Sequence, residues 1–365
     1  MNMTRTVVVG TGNMGGKWMT AVHEHPSAEL VGAVELDTAL ARRRLDALGL
    51  EGVPVAASLS ALIEEVRPDA IVNTTIPAAH REVSTTALRA GAAVISEKPA
   101  AASLAEALAL TATSIATGRF CMISQSRRYN PRLVRYRDAV EQLGAIGTVT
   151  TEFFRAPHFG GFREEMASPL LVDMAIHPFD SVRYLIGREP VAVYAEEYNP
   201  SWSWFRGDAA ATAVVEFEGG IRWVYNGSWC SPGSETSWNG SWRVSGERGS
   251  ALWDGDGEPM LDLATGVAVA PTTDEAGAGG IEQALSVFLH TLDEGGTPRG
   301  EIRENVRSLA MVEAALVSSA RGRRVTIDEV LAEALDAARE LDLDDETASV
   351  LRSVVHARDL LDGGA

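Results

Sequence analysis

An apolar, β-branched run, Thr6-Val7-Val8-Val9, passes directly into Gly10-Thr11-Gly12-Asn13-Met14-Gly15 and then into a helical pattern through Trp18, Met19 and Val22. Few folds accept that order. A short apolar run suits a central strand of a parallel sheet. Glycines at this spacing suit the strand–turn–helix unit that holds a dinucleotide: Gly10 for the tight turn, Gly12 for backbone approach to a pyrophosphate, Gly15 for close helix packing. Backbone N–H groups at the helix start, around Asn13 and Met14, then face the phosphates. The next strand, Leu30 to Val34, ends at Glu35, about 20 residues past Gly15, where a carboxylate accepts hydrogen bonds from the adenosine ribose. Glu35 argues for NAD(H), because the same charge repels the 2′-phosphate of NADP(H). Arg42, Arg43 and Arg44 on the following helix keep NADP(H) open.

The same alternation continues through the first third of the chain. Ala70-Ile71-Val72-Asn73 reads as a buried strand leading into Thr74-Thr75-Ile76-Pro77, with a helix from His80 to Ala90 that stops at Gly91. Ala92 to Ser96 is a further strand, followed by Glu97-Lys98-Pro99 and a helix with Ser103 as N-cap and Glu106 in its first turn. Phe120 to Ile123 is the next strand. Such a pattern calls for a doubly wound parallel sheet, an α/β Rossmann domain whose ligands bind beyond the carboxyl ends of the strands. The marked turns, with Thr74, Thr75, Pro77, His80, Glu97 and Lys98, fall at that edge.

After Gln125 the pattern changes. A helix opens at Arg128-Tyr129-Asn130-Pro131 and runs through Val140. Longer alternating stretches follow: Val149 to Phe154, Val191 to Glu197, Ala210 to Phe217, Ile221 to Ser228 and Ser241 to Val244, with Glu218-Gly219-Gly220 as a hairpin turn. This predicts a second α/β domain with a large open, mostly antiparallel sheet. The expected division is 1–124 for the nucleotide domain, 125–327 for the second domain and 328–365 for a helical extension, with 254–280 the least ordered-looking stretch.

A chain of 365 residues is long enough for two sizeable cores. Its formal net charge of −18 disfavours nucleic acid and anionic membranes as partners. No leader is expected ahead of the first strand, and no apolar run is long enough to span a bilayer. Cys121 and Cys230, read as free thiols, fit a reducing cytoplasm, and no metal site is expected.

Oxidising a secondary alcohol needs a hydride acceptor and a base for the hydroxyl proton, and imidazole suits the second task because its pKa lies near neutrality. His177 is the candidate. Asp173 lies one helical turn before it, on the same face if one helix carries both, placed to hold a substrate hydroxyl or to orient the imidazole. Lys98, at a strand end, supplies positive charge to a developing alkoxide. Asp180 reads more readily as structural. Arg128, Tyr129 and His158 are candidate substrate contacts. The tryptophans of the second half, including Trp202 and Trp204, suit a sugar platform or an oligomer interface equally.

Taken together, the glycine motif, Pro77 with His80, Glu97-Lys98-Pro99, Arg128 to Pro131, Gly147, the Asp173 to Asp180 helix and the Glu301 to Arg321 helix resemble the Gfo/Idh/MocA oxidoreductases over roughly residues 4 to 325. That resemblance implies a Rossmann domain followed by an open-sheet α/β domain, NAD(P) use, sugar or cyclitol substrates, and homodimers or homotetramers built through the open sheet face. The chain departs from the family in Ser168-Pro169-Leu170-Leu171-Val172, where many relatives approach the aspartate through glycines. The expected activity is hydride transfer between nicotinamide and a polyhydroxylated substrate. Two alternatives remain at this level: a glycosidase that uses tightly held NAD for transient oxidation, and a nucleotide-sensing regulator without chemistry.

Overall fold

A computed structural model describes residues 3–269 and 279–363. The chain divides into two compact units, one of Met1–Ser126, Gly280–Val306 and Leu331–Ala365, the other of Arg127–Gly279 and Arg307–Val330. Two later stretches of the chain thus belong by contact to the first unit.

In the first unit the chain runs through β1 (Thr4–Val9), α1 (Asn13–Glu24), β2 (Ala28–Val34), α2 (Thr38–Asp46), β3 (Val55–Ala56), α3 (Leu59–Val66), β4 (Ala70–Asn73), α4 (Pro77–Arg89), β5 (Ala93–Glu97), α5 (Leu104–Thr117) and β6 (Cys121–Ser124). Among the described residues its strands form one six-stranded sheet in the order β3-β2-β1-β4-β5-β6. Every pairing in it is parallel. Val7, Val8, Ile71, Val94 and Ile95 have no accessible surface or almost none, as strands buried on both faces require. Because all six strands point one way, their carboxyl ends bring Gly10, Glu35, Thr74 and Lys98 to one edge. Ser103 caps α5 by accepting from the Glu106 N–H at 3.2 Å, as its sequence position predicted.

The second unit begins with a 3-10 turn, Ser126–Tyr129, and α6 (Pro131–Glu141), capped by the Asn130 side chain. It continues through β7 (Ile146–Phe154), the short α7 (Phe162–Glu165), a π-helical turn at Leu170–Met174, α8 (Ile176–Ile186), β8 (Pro190–Tyr198), β9 (Ala210–Phe217), β10 (Arg222–Ser228), β11 (Ser241–Gly246), β12 (Gly249–Trp253), β13 (Met260–Leu263) and β14 (Gly266–Val269). With β15 (Val325–Thr326), the described strands form a nine-stranded sheet ordered β14-β13-β12-β11-β7-β10-β9-β8-β15. Only the β7–β10 pairing is parallel. The turn at Glu218–Gly220 joins β9 to β10, with Gly219 and Gly220 at φ 75° and 79°, a conformation that side chains resist. One face of the sheet is covered: Phe179 of α8 sets its ring edge-on to Trp223 at 4.8 Å and Tyr225 at 5.6 Å. On the other face Tyr194 and Val214 stay 41% and 40% exposed. The stretch expected to be least ordered carries β13 and β14, and its residues 270–278 lie outside the described residues.

After β14 come α9 (Gly280–Glu294), α10 (Ile302–Arg321), α11 (Ile327–Arg339), α12 (Asp345–Ser353) and α13 (Ala357–Leu361). α9 packs on α1, with His25 Nε2 and Ser286 Oγ 3.1 Å apart. The Gly300 carbonyl then accepts from the Ile123 N–H at 2.8 Å, so the edge strand β6 is covered by the chain itself. α12 packs on α5, where Arg89 of α4 meets Asp344, Glu346 and Thr347. The sequence pattern marked the end of the chain as a helical extension. It carried no information about the surface that receives it.

A buried ion pair holds α8 to the start of the second unit. Arg128 Nε and Nη2 lie 2.6 Å from the two carboxylate oxygens of Asp180, with the side chains only 6% and 2% exposed. Ser308 Oγ of α10 donates to Asp180 at 2.8 Å and accepts from Arg183 Nη1 at 2.7 Å. Removing one partner of such a pair leaves a buried charge without its counter-charge. Asp180→Ala is therefore expected to cost about 3 to 5 kcal/mol in urea unfolding, with NADH affinity of the folded protein unchanged; a loss below about 1 kcal/mol would show that the pair contributes no more than a surface contact.

Candidate nucleotide-binding and catalytic site

The turn after β1 is built by steric exclusion. Gly10 sits at φ 87°, and a Cβ there would lie 2.9 Å from the Thr74 carbonyl carbon; one on Gly15 would lie 1.9 Å from the Gly10 oxygen. Nothing lies within 4 Å of a Cβ built on Gly12, the N-cap of α1, and no side chain caps that helix. The open helix start, with unpaired N–H groups and the positive end of the dipole, suits a pyrophosphate. A cavity of about 570 Å³ adjoins it, with Gly10, Gly12, Glu35, Thr74, Thr75 and Ile76 among its lining. Glu35 Oε2 accepts from Thr11 N at 2.7 Å and Thr11 Oγ1 at 3.2 Å, so this carboxylate also braces the glycine turn. The residues therefore fit a dinucleotide.

The arginines that kept NADP(H) open meet groups of the protein itself. Arg42 donates to the carbonyls of Glu51 and Val53 and pairs with Asp46, while Arg43 pairs with Asp37. Arg44 lays its guanidinium against Gly16 of α1.

The strand ends beside this cavity share a polar network. Thr74 Oγ1 donates to the Gly10 carbonyl at 2.6 Å, and Thr75 Oγ1 donates to Asn73 Oδ1 at 2.7 Å. Pro77 occupies the first turn of α4, where its missing N–H is not needed. His80 is fully buried, with Nδ1 2.7 Å from the Pro99 carbonyl oxygen and Nε2 3.0 Å from that of Thr75. Both its ring nitrogens thus face protein carbonyls, although the sequence pointed to a cofactor contact. Glu97 accepts from Trp18 Nε1 at 2.8 Å, and burial pushes its carboxyl above the usual range. Lys98 follows at the carboxyl end of β5, half-buried.

In the second unit, the continuous helix expected from Asp173 to Asp180 is a π-helical turn at Leu170–Met174 followed by α8. Asp173 lies on the wider turn and His177 at the start of α8, both half-buried, so the simple one-face spacing does not apply. Arg163 Nε of α7 donates to Asp173 Oδ2 at 2.6 Å, with its guanidinium 5.4 Å and 4.9 Å from the ring centres of Phe159 and Phe162. His158 is exposed and stacks on Trp204 at 3.8 Å. Trp202 and Trp204 lie in a turn segment rather than an extended one, and Trp202 Nε1 donates to the Cys230 carbonyl at 2.8 Å.

Arg128, expected to meet substrate, is committed to Asp180, and its neighbour has different partners. Arg127 donates to the Trp238 carbonyl and approaches Met174 Sδ at 3.8 Å, with no carboxylate partner among the described residues. Burial pulls its pKa down to about 10. Nothing in an Arg-Arg dipeptide says which side chain turns inward, so the sequence held no signal for this choice. Tyr129 is half-buried. Both cysteines are buried and unbridged; among the described residues no cluster of three or more His, Cys, Asp or Glu side chains is placed to hold a metal ion, and no helix is long and apolar enough to cross a membrane.

A parallel sheet in this strand order, with a glycine turn at its first helix and an acidic residue closing the second strand, defines a dinucleotide-binding domain of the Rossmann type. Residues 4–125 match the oxidoreductase family with NAD-binding Rossmann fold, and residues 134–252 match the GFO/IDH/MocA C-terminal domain. The chain belongs to the Gfo/Idh/MocA family and is an NAD-binding dehydrogenase. It is 27% identical to D-apiose dehydrogenase of Paraburkholderia graminis over 90% of each chain. With inositol 2-dehydrogenase of Rhizobium meliloti it shares 28% identity over 52% of this chain and 56% of that one. Among solved structures, an Agrobacterium radiobacter oxidoreductase in complex with NAD+, L-tartaric acid and magnesium has the same fold, with TM-score 0.81 at 19% identity over 89% of this chain and 99% of that one.

Two expectations follow from this geometry. Gly15→Ala places a methyl group inside the Gly10 carbonyl, so NADH titration by fluorescence should show binding lost; retained affinity would mean that α1 can move off the turn.

The second concerns Glu197 of β8, which accepts from Ser168 Oγ at 3.2 Å. Burial, with a contribution from Asp208, pushes its carboxyl up to about 7, despite that hydrogen bond. Its folded pKa thus exceeds the unfolded value, so the stabilisation is complete below about pH 4.3 and lost as pH rises through about 7. The melting temperature of Glu197→Gln relative to the native chain should accordingly climb between about pH 5 and about pH 8, and a flat difference would refute the assignment.

Proposed function

We propose that this protein transfers a hydride between the nicotinamide of NAD(H) and a secondary alcohol carbon of a sugar, sugar derivative or cyclitol. The observation that carries the reading is Lys98 at the carboxyl end of β5, beside the cradle formed by Gly10, Gly12 and Thr74, in a chain that also retains Asp173 and His177. A nucleotide sensor has no need to retain both an ammonium and an imidazole. When bound, the nicotinamide supplies the hydride acceptor. His177 takes the hydroxyl proton as the carbon gives up its hydride, so that alcohol becomes carbonyl with proton and hydride both accounted for. Lys98 stabilises the negative charge that develops on the oxygen. Asp173, held by Arg163, accepts a hydrogen bond from a substrate hydroxyl or from the imidazole. Arg127 takes the substrate-facing place that the sequence suggested for Arg128, beside Tyr129, and His158 on its Trp204 stack is a further contact. Glu35 sets the preference for NAD(H).

Sugar-type substrates are favoured because relatives include enzymes named for apiose and inositol. The outward face of the nine-stranded sheet, with Tyr194 and Val214 exposed, suits a homodimer or homotetramer, and a cytoplasmic setting suits the two free thiols.

The test is to screen NAD+ and NADP+ against inositols, aldoses, amino sugars and glycosides, following nicotinamide absorbance together with product mass. Reduction by at least one panel member, falling about 10²-fold or more in His177→Ala, is expected. Glycoside cleavage without net absorbance change would replace this reading with redox-assisted hydrolysis, and undiminished activity in Lys98→Met would remove the proposed role of the ammonium.

A further inference from the structure

His80 stands between the two turns that matter most in the first unit. Its Nε2 faces the carbonyl of Thr75, in the turn after β4 that lines the nucleotide cavity, and its Nδ1 faces the carbonyl of Pro99, in the turn that carries Lys98. The imidazole has no accessible surface. Its backbone is fixed as well: Asn73 Nδ2 donates to the His80 carbonyl at 3.2 Å and to Ser84 Oγ at 3.0 Å, while Asn73 Oδ1 accepts from the N–H of Thr75 at 3.2 Å. One buried ring therefore spans the distance between a nucleotide-side turn and the turn of the proposed electrostatic residue.

The chemistry of the two contacts is unusual because both partners are acceptors. A carbonyl oxygen has no proton to give, and a neutral imidazole has a single N–H. Only the imidazolium would satisfy both carbonyls, but burial, assisted by the nearby Lys98 charge, holds this pKa below the ordinary histidine value in spite of them. A ring with a single proton donates to one turn at a time and presents a lone pair to the other. Exchange of the proton between Nδ1 and Nε2 shifts the grip from the Pro99 turn to the Thr75 turn.

We propose that His80 is a positioning residue for both turns, holding the Lys98 turn by Nδ1–H donation to the Pro99 carbonyl and the nucleotide-side turn by Nε2–H donation to the Thr75 carbonyl as the proton moves between its nitrogens. It touches neither cofactor nor substrate in this role. The inference rests on the proposed function for the importance of Lys98, but its test needs no substrate.

Asparagine and glutamine separate the two contacts. The Asn amide nitrogen falls near the position of Nδ1 and the Gln amide nitrogen near that of Nε2, so His80→Asn keeps the Pro99 contact and His80→Gln keeps the Thr75 contact. NADH affinity, read by fluorescence titration, reports the nucleotide side. Labelling of Lys98 by trace acetic anhydride, read by peptide mass spectrometry, reports the lysine side. His80→Asn is expected to weaken NADH binding about tenfold while Lys98 labelling stays within about twofold of the native chain. His80→Gln is expected to do the reverse, and His80→Leu to disturb both. A parallel loss of both readouts in Asn and Gln alike, accompanied by a lowered melting temperature, would mark His80 as merely structural and overturn the proposal, as would two variants indistinguishable from the native chain. Absence of turnover in the substrate screen would bear on the proposed function and leave these two readouts valid.

Discussion

Close packing of the glycine turn is the constraint on which the nucleotide half depends. Backbone from β1, α1 and the β4 end meets at distances that exclude a single carbon: Gly15 against the Gly10 carbonyl, Gly10 against Thr74. This contact sets the start of α1, leaves its first N–H groups uncapped, and opens the space that Glu35 closes. The functional consequence is local. A helix end without a side-chain cap is a cost in an ordinary protein and a binding site in this one.

The second unit is organised by a different kind of interaction. Its sheet buries one aromatic face under α8, and α8 is tied by the Arg128–Asp180 pair and by Ser308 of α10. Ahead of α8, the π-helical turn widens the chain where Asp173 sits, and Arg163 reaches that carboxylate from α7. The chain thus places its two candidate proton-handling groups at the junction of two helix types, where neither side chain follows ordinary α-helical spacing. The departure Ser168 to Val172 leads into this turn and supplies its first residues. Ser168 donates to Glu197, so an ionisable group on β8 touches the start of the same segment.

Much of the first unit was legible because its signals are local. A β-branched run, glycines required by backbone clashes, a capping serine and a proline at a helix start each act within a few residues, and all appear where their chemistry called for them. The antiparallel stretches were legible for the same reason, through alternation and the paired glycines after Phe217. Legibility failed where two equivalent side chains competed or where a partner was remote. Arg127 and Arg128 are chemically identical, and their assignment depends on Asp180 arriving from α8. His80 was visible as a marked residue, but its use of both nitrogens on Thr75 and Pro99 depends on two turns meeting in space.

The amino-acid sequence alone determined the nucleotide fold, the nature of its cofactor and the identity of the lysine, aspartate and histidine that carry the proposed chemistry, because backbone sterics and side-chain chemistry are properties of short segments. Tertiary structure decided the rest: that the last helices return to pack on α4 and α5, that residues near Gly300 cover the edge of β6, that the Asp173 helix is broken by a π-helical turn, and that one arginine of a pair meets a buried aspartate while its neighbour meets no carboxylate among the described residues. Those outcomes depend on which surfaces meet, and a pattern of apolar or charged residues specifies that a face must be satisfied without specifying what satisfies it.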